Sequence, residues 1–230
     1  RRLTGSQYRH TLRQWFGEEL ALPASLEPGA RADGLYAVGA AINGISTLGV
    51  ERYHQAADNV AAQILEAVPL RERVLFCDPV ADQDGCLADI ITTWGLRLWR
   101  RPLTDTEQAR LAKVADVAIE TLGTFDEGLR YTMKALLSSP NFLYVHAKGG
   151  EPDAWGRPYS AWEMATRLSL LLWDAGPDEA LLDAAAEGTL TDSDALREVV
   201  REMLQDPRAR QGIRAFADDW LELEGLTALN

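Results

Sequence analysis

Residues 104–137 read TDTEQARLAKVADVAIETL, a glycine, then TFDEGLRYTMKALL, and this stretch decides the fold class. Thr104 and Thr124 each stand three residues before a glutamate, Glu107 and Glu127. At that spacing the hydroxyl accepts from the first-turn backbone while the carboxylate reaches back to the capping residue's N–H, satisfying donors that a helix start leaves bare. Leu111, Val114, Ala115, Ala118 and Leu122 recur at helical period after the first pair, and Leu129, Met133, Leu136 and Leu137 after the second. Two amphipathic helices follow in succession.

The same signature recurs on both sides. Thr4–Gln7 precedes Tyr8, Leu12, Trp15 and Phe16, predicting a helix that ends at Gly17 or shortly after, and Ser160–Glu163 precedes Ala165, Leu168, Leu172 and Trp173. Without the box, Val50, Tyr53, Ala57, Val60, Ala61, Ile64, Leu65 and Val68 form a stripe that Pro69 is expected to end. Leu87, Ile90, Ile91, Trp94 and Leu98 form another, closed by Pro102. Pro177 suits the first turn of a short helix through Leu181 and Leu182, and Thr191 can cap Leu196 to Leu204. Asp206 and Pro207 open a last helix carrying Ile213, Phe216, Trp220 and Leu221. No segment alternates long enough to argue for a strand. The expectation is an all-α chain, an irregular bundle of roughly nine or ten helices with no substantial sheet.

Two stretches lack a period. Residues 22–43 hold Pro23, Pro28, Gly29, Gly34 and Gly39 and read mostly as loop. Residues 148–158 hold Gly149, Gly150, Pro152, Gly156 and Pro158 and mark the expected boundary, giving an N-terminal region 1–148 and a second helical region 149–230 packed on it.

With 230 residues and a formal net charge of -12 at pH 7, the chain is long enough for a real core, and its charge opposes a nucleic-acid partner. No apolar run approaches a membrane span. Cys77 and Cys86 enclose Asp78, Pro79, Asp82, Asp84 and Gly85, turn formers that can bring the sulfurs within bridging reach. That reading is a disulfide closing a loop, and hence an oxidising compartment, periplasmic or extracellular; unpaired thiols, or a zinc site with further ligands, are the alternatives. Cys-x-x-Cys-His is absent, so no covalent haem is expected in this chain. The histidines, His10, His54 and His146, are scattered; His54 borders an apolar stripe and His146 follows Phe142–Val145, and both read as packing residues rather than ligands.

No nucleophile elbow, phosphate loop or His-Glu-x-x-His pair occurs. Asp218, Asp219, Glu222 and Glu224 could supply an acid and a base, yet with Phe216 and Trp220 turned inward Asp218 and Glu222 form a solvated face. Trp15, Trp94, Trp162, Trp173 and Trp220 sit at or beside stripe positions and read as core. Trp99 stands off the stripe, flanked by Arg97, Arg100 and Arg101. These four are the candidate anion or partner contact, the alternative being arginines that neutralise a helix C-terminus.

Successive phrases then matter together: Arg2 to Arg13 (RLTGSQYRHTLR), Val50 to Ala57 (VERYHQAA), Trp99 to Thr104 (WRRPLT), Leu137 to Tyr144 (LSSPNFLY), Ala165 to Trp173 (ATRLSLLLW), Pro177 to Leu182 (PDEALL) and Met203 to Ala209 (MLQDPRA). In this order they resemble modules of large secreted planctomycete and myxobacterial proteins built from adjacent domains of unknown function, often joined to cytochrome c-type haem domains. The resemblance implies an exported protein, a cysteine pair where Cys77 and Cys86 stand, and a chain that is the N-terminal part of something longer. It carries no catalytic residues across, and the family's Gly-aromatic-Asp-Asn phrase is poorly kept at residues 34–43. Two functions follow as expectations. One is a non-catalytic helical scaffold or docking module of an exported, cytochrome c-associated complex, with any haem on a partner or another domain; the other is part of a secreted enzyme acting on an extracellular polymer, completed by segments outside this chain.

Overall fold

The computed structural model describes residues 1–23, 26–27, 31–152, 154 and 156–223. Among them lie twelve α-helices and one 3-10 turn, with isolated β-bridges between Arg2 and Tyr144 and between Ala32 and Leu35. The fold is all-α. In order the helices are α1 (Gly5–Phe16), α2 (Tyr36–Ile42), α3 (Thr47–Glu66), α4 (Val68–Val74), α5 (Gln83–Trp99), α6 (Asp105–Leu122), α7 (Phe125–Ser138), α8 (Pro140–Leu143), α9 (Ala161–Leu172), α10 (Glu179–Ala186), α11 (Ser193–Gln205) and α12 (Arg208–Trp220).

The count exceeds nine or ten because three short helices escaped the periodic reading. α2 lies in the stretch expected to be loop. α4 begins where Pro69 was expected to stop the chain's helical course: a proline lacks the N–H that a first turn leaves unpaired anyway, and it stands at the start of the new helix. α8 spans four residues, too few to show a period. Thr191 belongs to the 3-10 turn, and Asp192 caps α11 instead.

Capping follows the sequence closely. Thr104 and Ser160 form complete boxes with Glu107 and Glu163. Thr4 and Gln7 exchange both bonds at 3.2 Å, whereas Thr124 accepts from the Glu127 N–H at 3.3 Å. α1 stops at Gly17, whose φ of 102° lies in the left-handed region open to glycine.

The chain divides into two compact units. Unit 1 takes residues 1–14, 28–44 and 144–230, and unit 2 takes residues 15–27 and 45–143. A single cut after residue 148 does not describe this division, because residues 1–14 and 28–44 group with the C-terminal part; the break at 143/144 lies just before the glycine- and proline-rich stretch.

In unit 2, α7 packs against α3, α5 and α6. Trp94 of α5 is fully buried, stacks on Phe16 at 4.8 Å with planes 8° apart, and meets Trp15 edge-on at 6.4 Å. In unit 1 a cluster forms around Trp173, with Ala165, Leu181, Ala185, Leu190 and Met203. The Trp173 indole N–H donates to the Met203 carbonyl at 3.0 Å. Leu3, Val145 and Leu170 form a second, smaller cluster, beside which the Val145 N–H donates to the Arg1 carbonyl at 2.7 Å.

Candidate functional site

Cys77 and Cys86 form a disulfide with Cα atoms 5.5 Å apart. Asp78 accepts from the Val80 N–H and Asp82 from the Gly85 N–H, both at 2.9 Å, so two of the turn-forming aspartates organise the loop backbone. Asp82 thereby caps α5, and Cys86 sits one turn into that helix, buried. Val80 at the loop tip is 94% exposed.

The arginines around Trp99 are spent inside unit 2. The Arg97 guanidinium lies 4.9 Å over Trp15 and 5.0 Å over Trp94. Arg100 is buried and ends α5 in the left-handed region at φ 61°. Its guanidinium donates to the carbonyls of Leu98, Asn141 and Phe142 at 2.9–3.2 Å, doing for helix-end carbonyls what a solvent shell would otherwise do. Arg101 lies 5.9 Å from the Trp99 ring and grips Glu107 in two bonds of 2.8 Å. Those bonds pull the Glu107 carboxyl down to about 2, with burial opposing and the Thr104 backbone assisting. Trp99 itself is buried and donates to the Leu136 carbonyl at 3.1 Å. Arg101 and Trp99 are therefore brought together, while Arg97 and Arg100 turn to other partners.

The densest polar chemistry lies in unit 1, on a face of α1 made by Gln7, His10, Thr11 and Gln14. These occupy positions i, i+3, i+4 and i+7, neighbours on one side of a helix. The Gln7 amide donates to the Leu170 carbonyl at 3.3 Å. His10 Nδ1 lies 2.9 Å from an Asp174 carboxylate oxygen and 3.3 Å from its carbonyl. The Thr11 hydroxyl donates to Gln7 O at 2.7 Å and accepts from the Gly176 N–H at 2.8 Å. The Gln14 amide donates to the carbonyls of Gly176 and Pro177 at 2.9 and 3.1 Å. Four side chains of one helix thus satisfy the backbone at the end of α9 and in the connector beyond it. Asp174, buried and at φ 52°, adopts the left-handed conformation that aspartate tolerates better than most residues.

Arg208 closes this network. Its guanidinium stacks 3.6 Å from the Trp173 ring centre and bonds Gln14 at 3.2 Å, Asp178 at 2.7 Å and Asp206 at 2.7 and 2.9 Å. Burial lowers the Arg208 pKa, but the hydrogen bonds that it donates to Asp206 and Asp178 outweigh it and hold it above the ordinary value. Asp206 is held below the usual carboxylate range, first by its bonds from Arg208. None of this polar face stands out in sequence as a motif; the recoverable signal is a second stripe on α1, polar and offset from Tyr8, Leu12, Trp15 and Phe16.

Two sequence expectations are reversed. His54 and His146 are exposed rather than packed in the core. α12 is buried in its first half and not at its aromatics: Phe216 and Trp220 are 59% and 65% exposed, and Ala209 and Gly212 are its buried residues. A Cβ at Gly212 would meet the Leu172 carbonyl, so close backbone approach, not aromatic bulk, seats the helix. Asp219 accepts from the Tyr36 N–H with both oxygens at 3.0 Å; Asp218 is partly exposed and Glu222 exposed, and Glu222 pairs with Arg31 at 3.2 Å. Glu224, the fourth of that group, lies outside the described residues.

A shallow depression of about 490 Å³ lies in unit 2 between Ala21, Leu22 and Pro23 and the α3 residues Asn59, Ala62, Gln63 and Glu66. The Gln63 amide bonds both the N–H and the carbonyl of Ala21, at 2.9 and 2.8 Å, straddling the strap that forms one wall. Among the described residues no helix is long and apolar enough to cross a membrane, and no three His, Cys, Asp or Glu side chains converge as metal ligands would.

No curated protein and no solved structure matches the chain. Three family models do, each described as a protein of unknown function: PSD3 (DUF1587) over residues 1–66, PSD5 (DUF1595) over residues 86–146 and PSD4 (DUF1592) over residues 159–230. The chain is thus similar, in succession, to three families of unknown function: the first match spans residues of both compact units, the second lies in unit 2 except for its last three residues, 144–146, and the third lies within unit 1.

Proposed function

We propose that the chain is a non-catalytic helical docking module of an exported, redox-associated assembly, and that its acidic surface steers a cationic partner such as a basic c-type cytochrome. The observation that carries this reading is the run between Arg73 and Arg97, which holds Asp78, Asp82, Asp84 and Asp89, all exposed, and no Lys or Arg. Acid concentrated on one disulfide-closed segment and the helix behind it makes a directional field, where charge of both signs would cancel. The disulfide fits an oxidising compartment, which, with the family resemblance, supports periplasmic or extracellular residence. Haem then belongs to the partner or to another domain.

Binding to a basic cytochrome c, measured by calorimetry in stepped salt, tests this. Affinity should fall roughly tenfold or more between low and moderate ionic strength as the field is screened. Absent binding, or affinity indifferent to salt, overturns the reading. Isolation of the native protein followed by mass spectrometry and a visible absorption spectrum identifies which chain, and whether haem, travels with it.

A further inference from the structure

The largest apolar side chains of α12, and Leu221 just after it, are exposed although Ala209 and Gly212 in its first half are buried. Ile213, Phe216, Trp220 and Leu221 are each 56–67% exposed, and the Phe216 and Trp220 rings stack on one another 6.1 Å apart. At about 3.6 residues per turn, Ile213, Phe216 and Trp220 form one ridge of neighbouring positions. Exposed apolar groups are ordinary singly; a contiguous aromatic ridge on one helix is a contact surface.

Charge says what kind of surface meets it. Among the described residues of α12, the charged positions nearest the open side of the ridge are Arg210 and Arg214, about a quarter to a third of a turn beyond it. Both are exposed, and the Arg214 side chain is 84% exposed, with Asp218 only at the 4.0 Å limit of pairing. Asp218 lies on the opposite side of the helix from the ridge, Asp219 is held by Tyr36 and Arg208 by Asp178 and Asp206. On a chain of net charge -12, the open border of this ridge is cationic.

We infer that the ridge formed by Ile213, Phe216 and Trp220, with its Arg210 and Arg214 border, is the docking surface for an amphipathic α-helix that carries an apolar stripe and an acidic flank. An incoming helix sets its stripe against the aromatic pair, in the ridge-and-groove manner of helix packing, and its carboxylates face the two guanidiniums. This surface is separate from the acidic run that steers a cation, and each stands or falls on its own probe.

The test uses two labelled synthetic helical peptides with the same leucine stripe, one flanked by glutamate and one by lysine, titrated against the full chain by fluorescence anisotropy. The glutamate peptide should bind at least tenfold more tightly than the lysine peptide. The double variant R210E/R214E should weaken the glutamate peptide at least tenfold, and F216A/W220A should remove its binding, with circular dichroism confirming unchanged helix content. No binding of the glutamate peptide, or glutamate-peptide binding that survives F216A/W220A or is unchanged by R210E/R214E, overturns the inference.

Discussion

Each compact unit is held together internally by its own chemistry. Unit 2 is built on apolar bulk: Trp94 stacked on Phe16, the fully buried stripes of α5 and α7, and a covalent clasp between Cys77 and Cys86. Unit 1 sets a smaller apolar cluster around Trp173 beside a polar seam in which Gln7, His10, Thr11 and Gln14 bond the backbone of residues 170–177 and Arg208 ties the helix ends. Apolar burial is non-directional and tolerates approximate fits, whereas a buried polar seam demands that every group find its partner. The first kind of core is robust in formation; the second specifies one arrangement.

Substitutions that strike one kind of core and not the other would break or sharpen this contrast. The largest effect is expected from Trp94→Ala, which empties the centre of unit 2 and should cost about 4 kcal/mol in urea unfolding, with loss of hydrogen-exchange protection in residues 45–143. Replacing both cysteines, Cys77→Ser with Cys86→Ser, should cost about 3 kcal/mol, since a loop of about ten residues is freed in the unfolded chain. A change near zero would show that the loop's own aspartate bonds, not the clasp, restrict it.

Thr11→Val probes the polar seam with almost no change of volume. Thr11 is fully buried, and the variant leaves the Gly176 N–H without its acceptor, so a loss of about 1.5 kcal/mol is expected. A loss under half of that would mean unit 1 depends on its apolar cluster after all. The smallest effect belongs to Glu107→Gln. The Glu107 carboxyl is depressed from 4.5 to about 2, so its contribution is complete above 4.5 and lost as pH falls through about 2. Because Arg101 remains partly exposed, screening limits that contribution to about 1 kcal/mol. Urea midpoints should separate wild type from variant at pH 6 and converge near pH 2.

Unit 2 was legible in sequence for the reason that makes it robust. The stripes of α3, α5, α6 and α7 repeat at helical period, and the helices stand where the stripes are. Even there Val50 and Val68, read as part of the α3 stripe, and Val114 and Leu122, read as part of the α6 stripe, are exposed. The polar seam was not legible. Gln7, His10, Thr11 and Gln14 look like solvent-facing residues until Leu170, Asp174 and Gly176, more than 160 residues away in sequence, arrive opposite them. α12 was misread because its aromatic residues form a good stripe, while the contact that seats it is the absence of a side chain at Gly212.

Local chemistry, then, determined where helices begin, end and turn an apolar side: hydroxyl and carboxylate caps, prolines and glycines act over four or five residues, and the pairing of Cys77 with Cys86 across a loop of turn formers is of the same short reach. The tertiary structure alone decided which polar residues are spent internally and which apolar ones are left outside. Arg100 turned inward to carbonyls, α1 acquired a polar seam, and Phe216 and Trp220 remained in solvent. These outcomes depend on what lies opposite each side chain in space, and a partner that is distant along the chain leaves no periodic trace at the position it satisfies.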